Sequence, residues 1–154
     1  MSAGHTLWIS AHLAEKIRSH GAETYPHECC GALLGRDSEL EKQDSGRQVL
    51  ALFPLINRRD DSPRNRFSVT AEDVLEADKA AQQQGLEVIG WYHSHPDHPA
   101  RPSQYDRDHA WPWYSYVIVR VHKGAPEDMT SWRLSDDRAD FAPEGIEIRH
   151  RAAV

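Results

Sequence analysis

Apolar positions recur along this chain in two rhythms, one helical and one alternating. In residues 10–20 the rhythm is helical. Leu13 and Ile17 fall four apart, Ser10 stands where a capping hydroxyl belongs, and Gly21 follows as a stop. A turn at Pro26 leads into residues 28–34, E-C-C-G-A-L-L, which are apolar after the first position and predict a buried strand. Residues 37–46 are polar and predict a loop. Residues 48–57 hold V-L-A-L-F-P-L-I, a strand that Pro54 should bend or push to an edge. Residues 58–66 are charged and predict an exposed loop, and residues 67–69 a short strand. Thr70 then caps a helix with Asp73 at the capping-box position, with Val74, Ala77 and Ala81 on one face and Gly85 as the stop. A strand over 86–93 ends before Pro96, and Ser103 caps another helix through Asp106, His109 and Ala110 towards Pro112. Residues 114–121, Y-S-Y-V-I-V-R-V, are rich in β-branched and aromatic side chains and give the strongest strand signal. Weaker strand patterns follow at 129–134 and 145–149. Strands and helices interleave, so the pattern predicts an α/β sandwich, one mixed sheet flanked by helices, in a single domain over residues 1–154.

Composition narrows the function. The chain has 154 residues, 18 basic and 24 acidic, for a net charge of −6. An acidic chain without a basic block is poorly suited to gripping a phosphate backbone, so no nucleic-acid partner is expected. The longest apolar run, residues 49–56, is broken by Pro54 and falls far short of the roughly 18 residues a spanning helix needs, so no membrane partner is expected either. Residues 1–9 lack the charged-then-apolar layout of a secretion signal, and the expected location is the cytoplasm. The two cysteines, Cys29 and Cys30, are adjacent. That spacing suits neither a disulfide framework nor a zinc ribbon, and it predicts two small buried residues.

The chemistry concentrates in residues 91–106, W-Y-H-S-H-P-D-H-P-A-R-P-S-Q-Y-D. Residues two apart on a strand face the same side, so His93 and His95 can aim at one point while Ser94 faces away. Pro96 ends ladder pairing and turns the chain out of the sheet. A proline-stiffened loop leads to Ser103, and Asp106 falls in the first turn of the helix that Ser103 caps. There it can point back at the strand end, in a position where the helix dipole favours its ionised form. Two imidazoles and one carboxylate form a plausible three-ligand set for one Zn²⁺ per chain, leaving a fourth position open, as in catalytic zinc sites. His98, in the loop, and His109, one turn beyond Asp106, are rival donors on this reading.

The pattern H-S-H-P, six residues, Ser, two residues, Asp closely resembles the signature of the JAMM, or MPN+, metalloprotease family. Glu28, in P-H-E-C-C-G-A-L-L-G, matches that family's upstream glutamate, and the resemblance runs from Ser10 to about Val121. It implies the JAMM/MPN architecture, which resembles that of cytidine deaminases. It also implies that His93, His95 and Asp106 are the zinc ligands. Glu28 would be the general acid/base that takes the proton of the attacking water and hands it to the departing amine. Ser103 would donate a hydrogen bond to the developing oxyanion.

The family hydrolyses amide or isopeptide bonds at the C-termini of ubiquitin-like β-grasp proteins. The run D-H-P-A-R-P-S-Q-Y-D, with H-A-W-P-W-Y-S-Y after it, is similar to the compact bacterial branch. Some of its members process sulfur-carrier proteins ending in Gly-Gly, including carriers that serve cysteine biosynthesis. The implied partner is such a carrier, with isopeptidase action on ubiquitin-like conjugates as the alternative; a homodimer is compatible with either. The aromatic group Trp91, Trp111, Trp113, Tyr114 and Tyr116 can wall a groove for an extended tail or form ordinary core. Arg58, Arg59, Arg64 and Arg66 can face an acidic carrier or simply water. Two other classes fit less well. A metal-free MPN scaffold is disfavoured because all five motif residues are present, and a zinc deaminase because the P-C-x-x-C pair is missing.

Overall fold

The computed structural model describes residues 5–37, 46–56 and 69–150. Of the loop expected over 37–46, Asp37 ends β2 and Gly46 is described, while the rest lies outside the described residues, as do the loop expected over 58–66 and all but Val69 of the strand expected over 67–69; Val69 itself is not in a strand. The elements in order are β1 (Thr6–Ser10), α1 (Ala11–Thr24), β2 (Cys30–Asp37), β3 (Arg47–Leu55), α2 (Ala71–Gln83), β4 (Glu87–Pro96), α3 (Gln104–His109), β5 (Ser115–His122), β6 (Ala125–Leu134) and β7 (Phe141–Arg149). Among the described residues no helix is long and apolar enough to cross a membrane.

The sheet is mixed, as expected, but it closes. The seven strands run β1-β3-β2-β4-β5-β6-β7, and β1 lies parallel to both β3 and β7, which joins the ends into a barrel. The expected open sandwich is corrected on this point. The physical reason is β1, a five-residue strand that the sequence pattern passed over, whose Leu7 and Ile9 point into the core. With β1 in place, neither β3 nor β7 is left with a bare edge along its whole length, and closure removes an aggregation-prone border.

Helices cover both faces, and side-chain alternation explains how. On β2, Leu33 packs with Ala14 and Ile17 of α1, while Ala32 and Leu34 pack with Ala77 and Ala81 of α2. On β4, Ile89 and Tyr92 take the α1 side, and Val88 and Trp91 take the α2 side; these pairs are three apart because the register against β2 shifts between Leu33 and Leu34, which breaks the alternation at Ile89. Strands buried on both faces read as continuous apolar runs, as residues 29–34 do.

The caps follow the sequence. Ser10 Oγ accepts from Leu13 N at 3.1 Å, and Thr70 and Asp73 form a reciprocal capping box. Helix α2 ends in a Schellman turn. Leu86 N donates to Ala81 O, Gly85 N donates to Gln82 O, and Gly85 takes a φ of +69° that favours glycine. Gly21 is different. It was expected to stop α1, yet the helix runs through it to Thr24. A Cβ there would come within 2.9 Å of Val121 Cγ2, so this glycine serves close packing of α1 against β5. Pro54 sits where β3 has only β2 as a described neighbour, opposite Gly31, which leaves its missing N–H without cost.

Candidate active site

Strand register assembles the site. β2 and β4 are antiparallel with Cys30 opposite His93, which carries Glu28 opposite His95 just beyond the end of β2. The alternation that points His93 and His95 one way points Ser94 the other. Ser94 is fully buried, and its Oγ accepts from Cys29 N at 2.8 Å while its own N donates to Cys29 O at 3.2 Å. This pair extends the ladder by one step and fixes Glu28, itself buried, beside the two histidines. Sequence reasoning set Ser94 aside as pointing away. Its place between two converging histidines was the signal that something must hold the strand there.

The loop after Pro96 is pinned at both ends. Asp97 N donates to Val121 O at 2.8 Å, and its carboxylate accepts from Tyr25 Oη at 2.6 Å and Lys123 N at 2.7 Å. Thr130 Oγ1 donates to Ala100 O at 2.7 Å. Arg138 holds the far end of α3 by donating to Ala110 O at 2.6 Å. Ser103 and Asp106 then form a capping box. Ser103 Oγ accepts from Asp106 N at 3.1 Å, and Asp106 Oδ2 accepts from Ser103 N at 2.8 Å. Asp106 is thereby aimed at the strand end.

The three donors meet. His93 Nε2 and His95 Nε2 lie 3.1 Å apart, His95 Nε2 is 3.1 Å from Asp106 Oδ2, and His93 Nε2 is 3.3 Å from Asp106 Oδ1. A tetrahedral zinc with bonds of 2.0–2.1 Å holds neighbouring ligand atoms roughly 3.3–3.4 Å apart, so the donor set fits such an ion. The outer hydrogen bonding fits as well. His95 Nδ1 lies 2.8 Å from Pro99 O, which takes its proton and leaves Nε2 with the free lone pair. Burial pushes the Asp106 carboxyl up, but the adjacent His93 and His95 outweigh it and hold the group well below its usual range. It is therefore a carboxylate, as a metal ligand must be.

The rivals stand apart from this cluster. Among the described residues the convergent group that could hold a metal ion is His93, His95 and Asp106. His98 is exposed. His109 is stacked on Tyr105 at 4.0 Å with Nδ1 against Tyr105 O at 2.9 Å. Both cysteines are buried, and desolvation raises both thiols, which makes them poor nucleophiles.

Two cavities flank the cluster. On the His93 side a cleft of about 60 Å³ is lined by Cys30, Trp91, Tyr105, Trp111 and Tyr116 among others. On the Glu28 side a cavity of about 600 Å³ is lined by Glu28, His95, His98, Arg101, Ser103 and Tyr105 together with Gln104 and two prolines. Tyr105 borders both and was missed in the sequence, where its only mark was its place between Ser103 and Asp106. The aromatic group divides. Trp91 is buried and Trp111 half-exposed at the narrow cleft, whereas Trp113 lies outside it under the buried Arg47 guanidinium, 4.1 Å from the ring centre. The arginines at 58, 59, 64 and 66 lie outside the described residues.

Comparison with known proteins agrees with the geometry. The family of prokaryotic homologues of the JAB domain matches residues 10–135. The chain is 34% identical over 117 residues to a desampylase of Haloferax volcanii, covering 73% of this chain and 78% of that protein. It is 33% identical over 145 residues to a probable TtuB-protein conjugate cleaving protease of Thermus thermophilus, covering 94% of this chain and 82% of the other. A solution structure from Salinibacter ruber shares 47% identity over 92% of this chain and 90% of its own, with a TM-score of 0.70. One from Desulfitobacterium hafniense shares 28% identity over 94% of each chain, with a TM-score of 0.79. The family match covers most of the chain and contains all five motif residues, from Glu28 to Asp106: this protein belongs to the JAMM (MPN+) family, among the prokaryotic homologues of the JAB domain.

Proposed function

We propose that this protein, acting as one domain over residues 1–154, is a zinc-dependent peptidase that cuts the amide or isopeptide bond after the terminal glycine of a ubiquitin-like, sulfur-carrier type protein. The activities named for its relatives, a desampylase and a conjugate-cleaving protease, support a hydrolase acting on ubiquitin-like conjugates. One observation carries the reading: His93, His95 and Asp106 converge with ligand-like separations while Glu28 sits across from His95 on the neighbouring strand.

His93 Nε2, His95 Nε2 and an Asp106 carboxylate oxygen would hold the ion. Bound there, zinc would act as a Lewis acid, making water acidic enough to ionise near pH 7 and polarising the scissile carbonyl. The chain's own groups do the rest. Glu28 accepts a proton from the attacking water at its carboxylate and later donates it to the departing nitrogen. Ser103 serves two purposes without conflict. Its oxygen already accepts from Asp106 N, and a hydroxyl keeps its single O–H free to donate to the oxyanion. His95 Nδ1, tied to Pro99 O, keeps the ring in one orientation throughout.

The direct test uses metal analysis and turnover together. Protein purified without chelator should carry about one zinc per chain, and Glu28→Gln should keep that zinc while losing turnover. Loss of metal from Glu28→Gln would move Glu28 into the ligand set and overturn its role as proton carrier. A wild-type protein that neither holds zinc nor gains activity with it would favour a non-catalytic scaffold.

A further inference from the structure

Arg101 lies in the six-residue loop between Pro96 and Ser103 and lines the wide cavity with Glu28, His95 and Ser103. It is the sole lysine or arginine among that cavity's described lining residues. Its main chain is tightly held. Arg101 N donates to Pro99 O at 2.8 Å, the preceding Ala100 is buried, and Ala100 O accepts from Thr130. The side chain, by contrast, is exposed and has no hydrogen bond or ion pair with any described residue. The loop thus anchors the base of a cation that no described acid pairs with.

Which half of the substrate this cation meets follows from proton bookkeeping. The group that protonates the departing nitrogen must lie beside that nitrogen, so the leaving half belongs on the Glu28 side, in the cavity of about 600 Å³. The acyl half then runs to the His93 side, where the cleft has only about 60 Å³. A carboxylate entering the wide cavity meets the negative Glu28 and needs a counter-charge there. Arg101 supplies it in a form that matches a carboxylate's two oxygens.

We propose that Arg101 is a specificity-determining residue that binds the free α-carboxylate of a leaving amino acid, so that the favoured substrate is a carrier whose terminal glycine is extended by one residue through an ordinary peptide bond. This inference rests on the peptidase reading of the same site. It separates a one-residue extension from a lysine isopeptide, whose leaving nitrogen is four methylenes away from any backbone carboxyl or amide.

The test uses a ubiquitin-like β-grasp protein ending in Gly-Gly and ligated to one alanine, as the free acid and as the primary amide. The same protein joined to a lysine side chain is the third substrate. The zinc-loaded protein should cut the acid with kcat/KM about tenfold or more above the amide and the isopeptide. Arg101→Ala should bring the acid down to the level of the amide and leave the amide and the isopeptide unchanged, and Arg101→Lys should restore part of the difference. Equal rates on acid and amide, or an equal loss on all three in Arg101→Ala, would overturn the proposal. Fluorescence anisotropy with Glu28→Gln reads the same contrast as affinity. If no substrate is cut, the peptidase reading fails, while a preference for the acid in binding that disappears on adding Arg101→Ala would still support the carboxylate site and its absence would overturn it.

Discussion

The two sides of the His93–His95–Asp106 cluster are built to opposite ends. The His93 side is a cleft of about 60 Å³, room for roughly two waters, walled by Trp91, Trp111 and Tyr116. The Glu28 side is a cavity of about 600 Å³ with polar groups and the Arg101 guanidinium among its described lining. A narrow apolar wall selects by excluding side chains, and a roomy cavity with a charge selects by what it attracts. Glycine on one side and a charged or bulky leaving group on the other satisfy both. Tyr105 stands between them and belongs to each.

Removing the ligands between the two sides should have the largest effect. His95→Ala or Asp106→Ala should abolish zinc binding and bring hydrolysis to background; atomic absorption and turnover read both. Asp106→Ala should also cost about 1 kcal/mol of stability, because it breaks the capping box of α3. Glu28→Gln should lower kcat by about 10²–10⁴-fold with zinc retained.

The contrast between the sides can be probed from the substrate. Replacing the glycine before the scissile bond by leucine should cut kcat/KM by about 5- to 150-fold, since the cost of overpacking is about 1–3 kcal/mol. The same bulk placed beyond the bond should change kcat/KM by only a few-fold. Equal sensitivity on both sides would remove the distinction between cleft and cavity.

Ser103→Ala should lower kcat by about 10–100-fold, with KM nearly unchanged, and cost about 1 kcal/mol of stability through the lost cap. Ser94→Ala should have the smallest direct effect on chemistry. It strands Cys29 N in a buried position, so about 1–3 kcal/mol of stability should go, measurable by denaturant melting, with partial loss of turnover as Glu28 loosens.

The sequence revealed the chemistry better than the fold. A strand's two-residue period pairs His93 with His95, and a capping box ties Ser103 to Asp106; both are local rules, legible over a few residues. Glu28 came from resemblance, because a contact between β2 and β4 has no local signature. Closure of the sheet was illegible for the same reason. It depends on β1 lying parallel to β7, more than 130 residues later in the chain. The starts of β6 and β7 were also missed, since residues 125–128 and 141–144 are mostly exposed or half-buried and lack a clear apolar period. Gly21 reads as a stop in any sequence, and only Val121 packed against it explains its place inside α1.

The most direct measurement is mass spectrometry of ubiquitin-like carriers bearing C-terminal extensions or lysine conjugates, incubated with the protein before chelation, after chelation, and after zinc is restored. The account predicts a single cut after the terminal glycine that disappears with chelation and returns with zinc. A cut that persists without metal, or falls elsewhere in the carrier, would contradict it, as would zinc-loaded protein that leaves every carrier intact.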